Sequence, residues 1–292
     1  MNRPLEIPPS IPAGRPVPVG VRLERAPVLD APPGAPVPID CRRHNAAHER
    51  CGRPVLPSSV PTNCTTCRLR EVCLPVGLSG EELDSLDQAV YNRRRVARGA
   101  RAFGSGDALE SLYAIRLGSF KSSLHTADGR EQVTGFHLPG ELLGLDAIGG
   151  GRHGSDAVAL EDSELCVVPW DRLEELANEF PRIGRNFHRV MSRELASGQG
   201  IMLLLGRMSA EERLAAFLLN LSQRWAALGY SASEFVLRMS RDDIGNYLGL
   251  KIETVSRMFS KLREKGLIEA HQRDVRILDA AGLERLVSTG AG

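Results

Sequence analysis

The sequence predicts an α+β protein in which an antiparallel β-roll is followed by a long helix and a C-terminal winged helix-turn-helix. Three observations predict this architecture. Short apolar runs interrupted by glycine fill about residues 93–169, apolar residues at helical spacing follow over 188–205, and two short helical segments meet at Gly249. Short strands at regular spacing are typical of a roll or barrel, and two helices joined by a glycine turn are typical of a helix-turn-helix.

The first part of the chain is rich in proline, since 14 of the 18 prolines lie within residues 1–63. Proline fixes φ and lacks a backbone N–H, so this stretch supports neither a regular helix nor a sheet. We expect residues 1–62 to be a largely disordered leader. Behind it the pattern predicts a roll domain over 63–180, a long helix over 181–208 and a last domain over 209–292.

The segment 63–180 is expected to open with a short helix and to continue as strands. Ser79 and Glu82 have the spacing of a capping box, which predicts a helix start at this point. Apolar runs at Leu112–Leu117 and Val133–Leu138 each end at a turn signal that contains glycine. Strands this short, at this spacing, predict the antiparallel roll.

The long helix carries a seam of residues spaced 3, 4, 3, 4 and 3 apart: His188, Met191, Leu195, Gly198, Met202 and Leu205. This spacing predicts a two-helix coiled coil between two copies of the chain, although a core-facing helix of a monomer gives the same pattern. Gly198 and Gly200 each cost about 1 kcal/mol relative to alanine inside a helix. The association is therefore expected to be marginal and adjustable.

Residues 240–265 have helix-turn-helix spacing, and two short strands that follow them predict a wing. Glu253, Ser256 and Arg257 fall on one face near the start of the second helix, the part that enters the major groove in such motifs. Arginine pairs with guanine and a carboxylate accepts from cytosine, so this face suits contacts to bases. The alternative is a solvated helix with ordinary ion pairs.

The total charge conceals a local surplus of positive charge. The chain has 37 Lys and Arg against 36 Asp and Glu, a formal net charge of +1. Residues 251–265 hold five basic and two acidic residues, a local charge of +3 (5 − 2) that suits contacts to DNA phosphates. The composition thus excludes a grossly basic coat protein but leaves room for a local DNA-binding face.

Four of the six cysteines are candidate metal ligands. Cys64, Cys67 and Cys73 form a C-x2-C-x5-C set, and Cys166 lies 93 positions further on (166 − 73). Four thiolates suit either a tetrahedral zinc or an iron–sulfur cluster, and spacing alone does not separate the two. Buried free thiols are the third interpretation.

A second set with ligand-like spacing lies in the leader, with no recognisable fold around it: Cys41, His44, His48 and Cys51. A metal site there is the less favoured interpretation. No apolar stretch approaches the roughly 18 to 20 residues of a membrane span, and the N-terminus lacks a signal-peptide h-region, so we expect a cytoplasmic protein with reduced thiols. The absence of a P-loop, dinucleotide-binding or nucleophile motif argues against an enzyme.

Taken together, these segments resemble one family. From about Cys64 to the C-terminus, roughly four-fifths of the chain resembles FNR, the oxygen-responsive fumarate and nitrate reduction regulators of the cyclic-AMP receptor protein superfamily. The resemblance rests on the four-cysteine set and on the segments SLYAIRLGSFKS, TGFHLPGELLGLDAIG, AEERLAAFLLNLSQR and DDIGNYLGLKIETVSR. These motifs are specific in combination, whereas the helix-turn-helix alone indicates only the superfamily.

What the resemblance implies is a roll like that of cyclic-nucleotide-binding domains and an oxygen-sensing transcription regulator, often an activator, of anaerobic metabolism. It implies a [4Fe–4S] cluster with four ligands: Cys64, Cys67, Cys73 and Cys166. Oxygen destroys or converts the cluster, and the homodimer that the cluster-loaded chain forms is then lost. By position, Glu253, Ser256 and Arg257 match the family's base-reading E-x-x-S-R, which implies a TTGAT-type inverted repeat in double-stranded DNA.

The resemblance also bears on other partners. The superfamily's nucleotide pocket grips a cyclic phosphate with an arginine followed by serine or threonine, but Gly154 stands before Ser155 here, so cyclic AMP is not expected. The loop 125–130 and the region near Tyr230 resemble places where FNR proteins touch RNA polymerase, although solvated turns are equally consistent. Where FNR proteins can carry an acidic residue in the dimer helix, this chain has Gly198.

Two functions from other classes stay open at this stage. One is a DNA-binding regulator with structural zinc. The other is an iron–sulfur electron-transfer protein, which would need a second cofactor or a substrate pocket.

Overall fold

The computed structural model describes residues 63–90, 92–126 and 128–289. The expected leader, with its Cys41-to-Cys51 set, lies outside the described residues. The described helices are α1 (Gly80–Ala89), α2 (Trp170–Glu179), α3 (Pro181–Arg207), α4 (Ala210–Ala227), α5 (Arg241–Leu248), α6 (Ile252–Glu264) and α7 (Ala280–Thr289), with short 3-10 turns at Cys64–Thr66 and Leu145–Ala147. The strands are β1 (Arg93–Val96), β2 (Arg101–Phe103), β3 (Ser111–Leu117), β4 (Phe120–His125), β5 (Glu131–His137), β6 (Leu142–Leu143), β7 (Asp156–Ala159), β8 (Ser163–Pro169), β9 (Glu234–Val236), β10 (Ile268–His271) and β11 (Asp274–Ile277).

The predicted roll is confirmed as two four-stranded antiparallel sheets, ordered β1-β8-β3-β6 and β2-β7-β4-β5. Phe103, Ile115 and Phe120 are buried between the two sheets. The turn predicted at Gly118 is present with φ +84°, and a Cβ there would lie 2.9 Å from the backbone Cα of Ser163. Both the left-handed conformation and the close approach therefore require glycine at this turn.

A second apolar cluster covers the outer face of the first sheet. Leu83 and Leu86 of α1, Leu173 of α2, and Ile183 and Phe187 of α3 are all buried in it. The capping box that opens α1 is confirmed, with the Ser79 N–H donating to the Glu82 carboxylate at 2.7 Å. Helix α2 had not been predicted, because its apolar periodicity extends over only ten residues.

The winged helix-turn-helix prediction is also confirmed. Ser240 and Asp243 form the capping box of α5, and Gly249 ends that helix in the left-handed conformation. The predicted hairpin is β10–β11, but a third strand, β9, pairs with β11, and α7 packs against α4; the sequence analysis predicted neither. A third apolar cluster joins this domain to the roll through Val133 and Phe136 of β5.

Polar contacts reinforce the junction between the roll and the winged domain. Arg224 of α4 donates two hydrogen bonds to the Glu141 carboxylate, at 2.9 and 2.7 Å. Asn246 of α5 accepts from the backbone N–H of Val133 at 2.5 Å and donates to the Glu131 carbonyl at 2.7 Å. Among the described helices, none has the length and apolar character needed to cross a bilayer.

Candidate metal centre and DNA-reading face

Four cysteines that are distant in sequence line one cavity. Cys64 starts the 3-10 turn, Cys67 follows it directly, and Cys73 lies six residues further along the same segment. Cys166 lies in the middle of β8, paired in register with Ala114 of β3 and with Arg93 of β1. The fold therefore brings together all four of the predicted ligand cysteines.

The rest of the cavity wall is mainly apolar. Its aliphatic side chains come from four parts of the chain: Leu69, Leu74, Leu86, Val90, Ile115 and Val168. Arg70 and Arg116 are the cations among the lining residues. The Nε of Arg70 is buried without a hydrogen-bond partner, and Arg116 pairs with Glu164. An apolar wall with cations at its edge suits a buried group that carries negative charge.

The cysteine environment disfavours free thiolates. Burial raises the pKa of Cys73 to about 12. Burial also raises the pKa of Cys64 and of Cys166, and the neighbouring Asp87 carboxylate raises that of Cys64 further. Thiolates in such a site are stabilised chiefly by a bound metal, which supplies the compensating positive charge.

The cysteines do not converge on one point. Within residues 63–90, 92–126 and 128–289, no three cysteine, histidine, aspartate or glutamate side chains meet closely enough to hold one metal ion.

The cysteine segment, defined as residues 63–78, is fixed at both ends by contacts that the sequence analysis missed. At its start, Asp87 of α1 accepts from the Cys64 N–H at 2.5 Å and from the Thr65 hydroxyl at 3.0 Å. At its end, Asn186 of α3 donates to two backbone carbonyls, those of Leu74 and Val76. Neither partner is near in sequence, so no local pattern could have identified it.

Gly154 stands where the superfamily's nucleotide pocket would have an arginine. The hydrogen-bond donors at this position are bound by an aspartate of the protein itself. The Asp146 carboxylate accepts from the backbone N–H groups of Gly154 and Ser155, both at 2.9 Å, and from the Ser155 hydroxyl at 2.8 Å. One carboxylate oxygen thus receives three donors that an anion would otherwise attract.

The candidate base contacts lie on the open face of α6. Glu253, Ser256 and Arg257 are exposed, whereas Val255 and Phe259 of the same helix are buried in the domain core. Two basic side chains at the end of α6 are engaged, since Lys261 and the following cap residue Lys265 both pair with Glu211 of α4 at 2.5 Å. Arg257 remains available, with one contact of 3.5 Å to the Thr254 hydroxyl.

The predicted seam residues of α3 differ in their surroundings. Leu195 is 70% exposed and Met202 is 74% exposed, and His188 and Gly198 are also exposed. Met191 packs partly against the cluster beneath α1 and α2, and Leu205 is half-buried near Gly249. Within the described chain, Met191 and Leu205 are therefore partly packed, and the other four seam residues are exposed.

Arg213 of α4 is a further residue that sequence reasoning missed. Its guanidinium donates to the carbonyls of Leu205 at 2.8 Å and Met208 at 2.9 Å, where α3 ends. It also donates to the Leu248 carbonyl at 2.9 Å, where α5 ends. One side chain therefore ties the end of the long helix to the helix-turn-helix.

Comparisons with known proteins find two matching domain families and several similar regulators. Residues 93–180 match the cyclic nucleotide-binding domain family and residues 212–286 the Crp-like helix-turn-helix domain family. The chain is 49% identical over 225 residues to the transcriptional regulatory protein btr of Bordetella pertussis, covering 77% of this chain and 93% of that protein. It is 44% identical over 242 residues to the transcriptional activator protein Anr of Pseudomonas protegens, covering 83% and 93%.

Two further relatives extend the comparison. The anaerobic regulatory protein of Haemophilus influenzae is 42% identical over 243 residues, covering 83% of this chain and 95% of that protein. Among solved structures, FixK2 from Bradyrhizobium japonicum is similar with a TM-score of 0.62 and 33% identity, covering 67% of this chain and 96% of that one.

Proposed function

The chain belongs to the family of FNR- and Anr-type transcription regulators, and from this premise we propose that it senses oxygen through an iron–sulfur cluster and binds DNA as a dimer. The observation that carries this proposal is that Cys64, Cys67, Cys73 and Cys166 line one mainly apolar cavity. Three of these thiols lie on one segment and the fourth on a strand of the roll, so a group held by all four would tie the two together.

The residues fit a [4Fe–4S] cluster with these four cysteines as ligands. When bound, the cluster supplies an oxygen-labile cross-link between the cysteine segment and β8. The chain itself supplies a mainly aliphatic lining, and Arg70 and Arg116 are the cations that line the same cavity. Arg68, which also neighbours the ligands in sequence, is exposed.

The DNA-reading role is assigned to Glu253, Ser256 and Arg257 at the start of α6. Their exposure and the burial of the opposite face of α6 support an approach to the major groove. We expect a TTGAT-type inverted repeat, with Arg257 contacting guanine and Glu253 accepting from cytosine. Two such helices must lie about one DNA turn apart, roughly 34 Å, which requires a dimer.

Dimerisation is assigned to α3 through His188, Met191, Leu195, Gly198, Met202 and Leu205. The large exposure of Leu195 and Met202 supports this assignment, because both apolar side chains remain in water when the chain is alone. We propose the domain limits 63–180, 181–208 and 209–292 for the roll, the dimer helix and the DNA-binding domain. A regulator of this kind acts in the cytoplasm, where the DNA is, and needs no catalytic site.

The proposal excludes cyclic AMP as the signal and includes RNA polymerase as a partner. Asp146 occupies the donors that a cyclic phosphate would need, and no arginine precedes Ser155. The loop 125–130 is exposed wherever it is described, and Tyr230 is 63% exposed, which leaves both surfaces available for a contact with the polymerase. Substitutions there should impair activation and leave operator binding intact.

Metal analysis after anaerobic purification tests this function against its alternatives. Iron with an equal amount of acid-labile sulfide supports the cluster, whereas zinc without sulfide supports a structural zinc site. A DNA-mobility shift on the inverted repeat, with and without air, then separates a regulator from an electron carrier. Oxygen-insensitive binding contradicts the proposal.

Cys166→Ala provides the matching genetic test. We expect it to remove both the iron and the anaerobic DNA binding, because it deletes the only proposed ligand that lies on the roll. Cys51→Ala removes a cysteine outside the proposed ligand set and serves as the control. If Cys166→Ala binds DNA under anaerobic conditions with unchanged affinity, the proposal is contradicted.

A further inference from the structure

The long helix touches the cysteine segment through one buried polar side chain. Asn186 lies in the second turn of α3 and is only 7% exposed. Its amide Nδ2 donates to the Leu74 carbonyl at 3.0 Å and to the Val76 carbonyl at 2.7 Å. Leu74 and Val76 lie one and three positions after Cys73, the last proposed ligand of the segment, and 112 and 110 positions away from Asn186 in sequence.

The geometry of Asn186 is set by a second contact. The Arg189 guanidinium, one turn further along α3, donates to the Asn186 Oδ1 at 3.0 Å. The carbonyl end of the amide is therefore held by the helix, and the NH2 end is directed at the cysteine segment. Both ends of the side chain are satisfied, which is the usual requirement for a buried amide.

The apolar surroundings make this contact specific to one position of the segment. Leu74 and Leu78 are buried in the same cluster as Ile183 and Phe187, the neighbours of Asn186 on α3. If the segment moves, the amide NH2 loses two acceptors inside an apolar cluster, and a buried donor without an acceptor is costly. A weaker hydrogen bond joins α3 to the cysteine segment on the exposed side of the helix, where the Arg182 guanidinium donates to the Gly77 carbonyl at 3.5 Å.

The contact lies next to the seam of the dimer helix. Phe187 follows Asn186 directly, and one turn further along α3 Val190 and Met191 pack against the same cluster. Met191 belongs to the predicted seam. A change in how the cysteine segment sits on Asn186 is thus transmitted to the start of the seam through one packed turn of helix.

We propose that Asn186 is the residue that couples the state of the cysteine segment to the pairing of α3. It acts as a positioning residue: it binds no cofactor and no DNA, but it fixes the orientation of α3 according to where residues 74–76 lie. This inference rests on the proposed function, since it presumes that a group held by the four cysteines fixes the segment.

The test compares Asn186→Asp with the wild type and with Arg189→Gln. The aspartate has the same shape and keeps the Arg189 contact, but it removes the donors to Leu74 and Val76. Arg189→Gln keeps those donors and removes only the support of the Oδ1. Asn186→Ala removes both kinds of contact and replaces the aspartate variant if that variant does not fold.

Two quantities are measured on each variant: iron and sulfide per chain, and the dimer dissociation constant by sedimentation, cluster-loaded and cluster-free. For the wild type, the ratio of the two dissociation constants is the coupling. We expect Asn186→Asp to hold as much iron as the wild type while the coupling falls at least about tenfold, within the usual range of coupling factors between sites. Arg189→Gln should retain most of the coupling.

The other outcomes contradict either this inference or the proposed function on which it rests. A wild-type ratio in Asn186→Asp overturns the inference. Loss of iron together with loss of dimer also overturns it, because Asn186 would then act on retention of the cluster. A wild type without iron, or with equal dissociation constants in both states, contradicts the proposed function itself and removes the premise of the inference.

Discussion

The two halves of α3 have similar apolar spacing and different surroundings. In the first half, Ile183 and Phe187 are buried against α1 and α2, and Asn186 reaches the cysteine segment. In the second half, Leu195 and Met202 are 70% and 74% exposed. The start of α3 thus packs within the chain, whereas these two apolar side chains further along the same helix remain exposed.

This difference indicates that the two halves of α3 have different roles. The first half senses the arrangement of the cysteine segment, since it contacts that segment directly. In the proposed function the second half pairs with a second copy of the chain, and Gly198 and Gly200 keep that pairing weak enough to respond. A coupling of a few kcal/mol between the halves is sufficient for a switch.

Among the substitutions that test the difference between the two halves of α3, Phe187→Ala is expected to have the largest effect. Phe187 is 7% exposed and its ring lies 5.8 Å from that of Trp170, so truncation leaves a cavity that costs about 3 kcal/mol of unfolding free energy. The loss is measured by urea unfolding of the cluster-free protein, at a protein concentration below its dimer dissociation constant. Met202→Ala, at an exposed position of the same helix, should cost less than about 0.5 kcal/mol. Equal losses would show that both halves are packed alike.

Leu195→Glu tests the second half in the opposite way. A carboxylate in the seam must lose water when two helices pair, so we expect the dimer dissociation constant of the cluster-loaded protein to rise roughly a hundredfold. Iron content should not change, because Leu195 is remote in sequence and contact from the cysteines. Ala196→Glu adds the same charge next to the seam and is the control. Sedimentation equilibrium gives both constants, and a dimer that tolerates Leu195→Glu refutes the seam.

These expectations depend on features that the sequence reveals to different degrees. Capping boxes at Ser79 and Ser240, the left-handed Gly249 and the seam spacing are local patterns, and helices α1, α3 and α5 follow from them. The four cysteines were identifiable as candidate ligands because three of them lie within ten residues, and the structure places all four along one cavity. Helix α7 and strand β9 were not predicted, because their residues carry weak local patterns and are stabilised by packing.

The coupling contacts could not be predicted from local patterns at all. Asn186 and Arg213 are ordinary polar residues on helices, and each acts through backbone carbonyls that are distant in sequence. Backbone carbonyls occur at every residue and therefore carry no sequence signal. Only the tertiary fold shows that one lies against the cysteine segment and the other at the end of α3.

Gly198→Ala sharpens the comparison with a smaller effect. No atom lies within 4 Å of a Cβ built at Gly198 or at Gly200, so either alanine gains helix propensity without a clash within the chain. Each substitution should raise the unfolding free energy by about 0.5–1 kcal/mol, measured by thermal melting of the cluster-free chain. If Gly198→Ala alone also weakens the dimer, close approach of the backbones at the seam is confirmed; Gly200 lies off the seam and is the control.

A similarly small effect is expected at the junction beyond the helix, where Lys121 of the roll pairs with Asp243 of α5 at 2.8 Å. Burial alone would raise the pKa of Asp243, but hydrogen bonds from Lys121 and Ser240 hold it below its ordinary value of 3.8. The stabilisation is therefore complete above about pH 4 and is lost as the pH falls through the lowered pKa. Lys121→Met should cost about 1 kcal/mol or less at neutral pH, and progressively less below pH 4 in urea titrations. A cost that does not change with pH would contradict an ionic pair.

The central claim is that the cysteine segment, once fixed, strengthens the pairing of α3. The most direct test is the dimer dissociation constant of the wild-type protein, measured by sedimentation under anaerobic conditions before and after the cluster is removed by air. We predict a dissociation constant at least about tenfold lower in the cluster-loaded state, with the protein becoming monomeric as sulfide is lost. The same dissociation constant in both states would contradict the account.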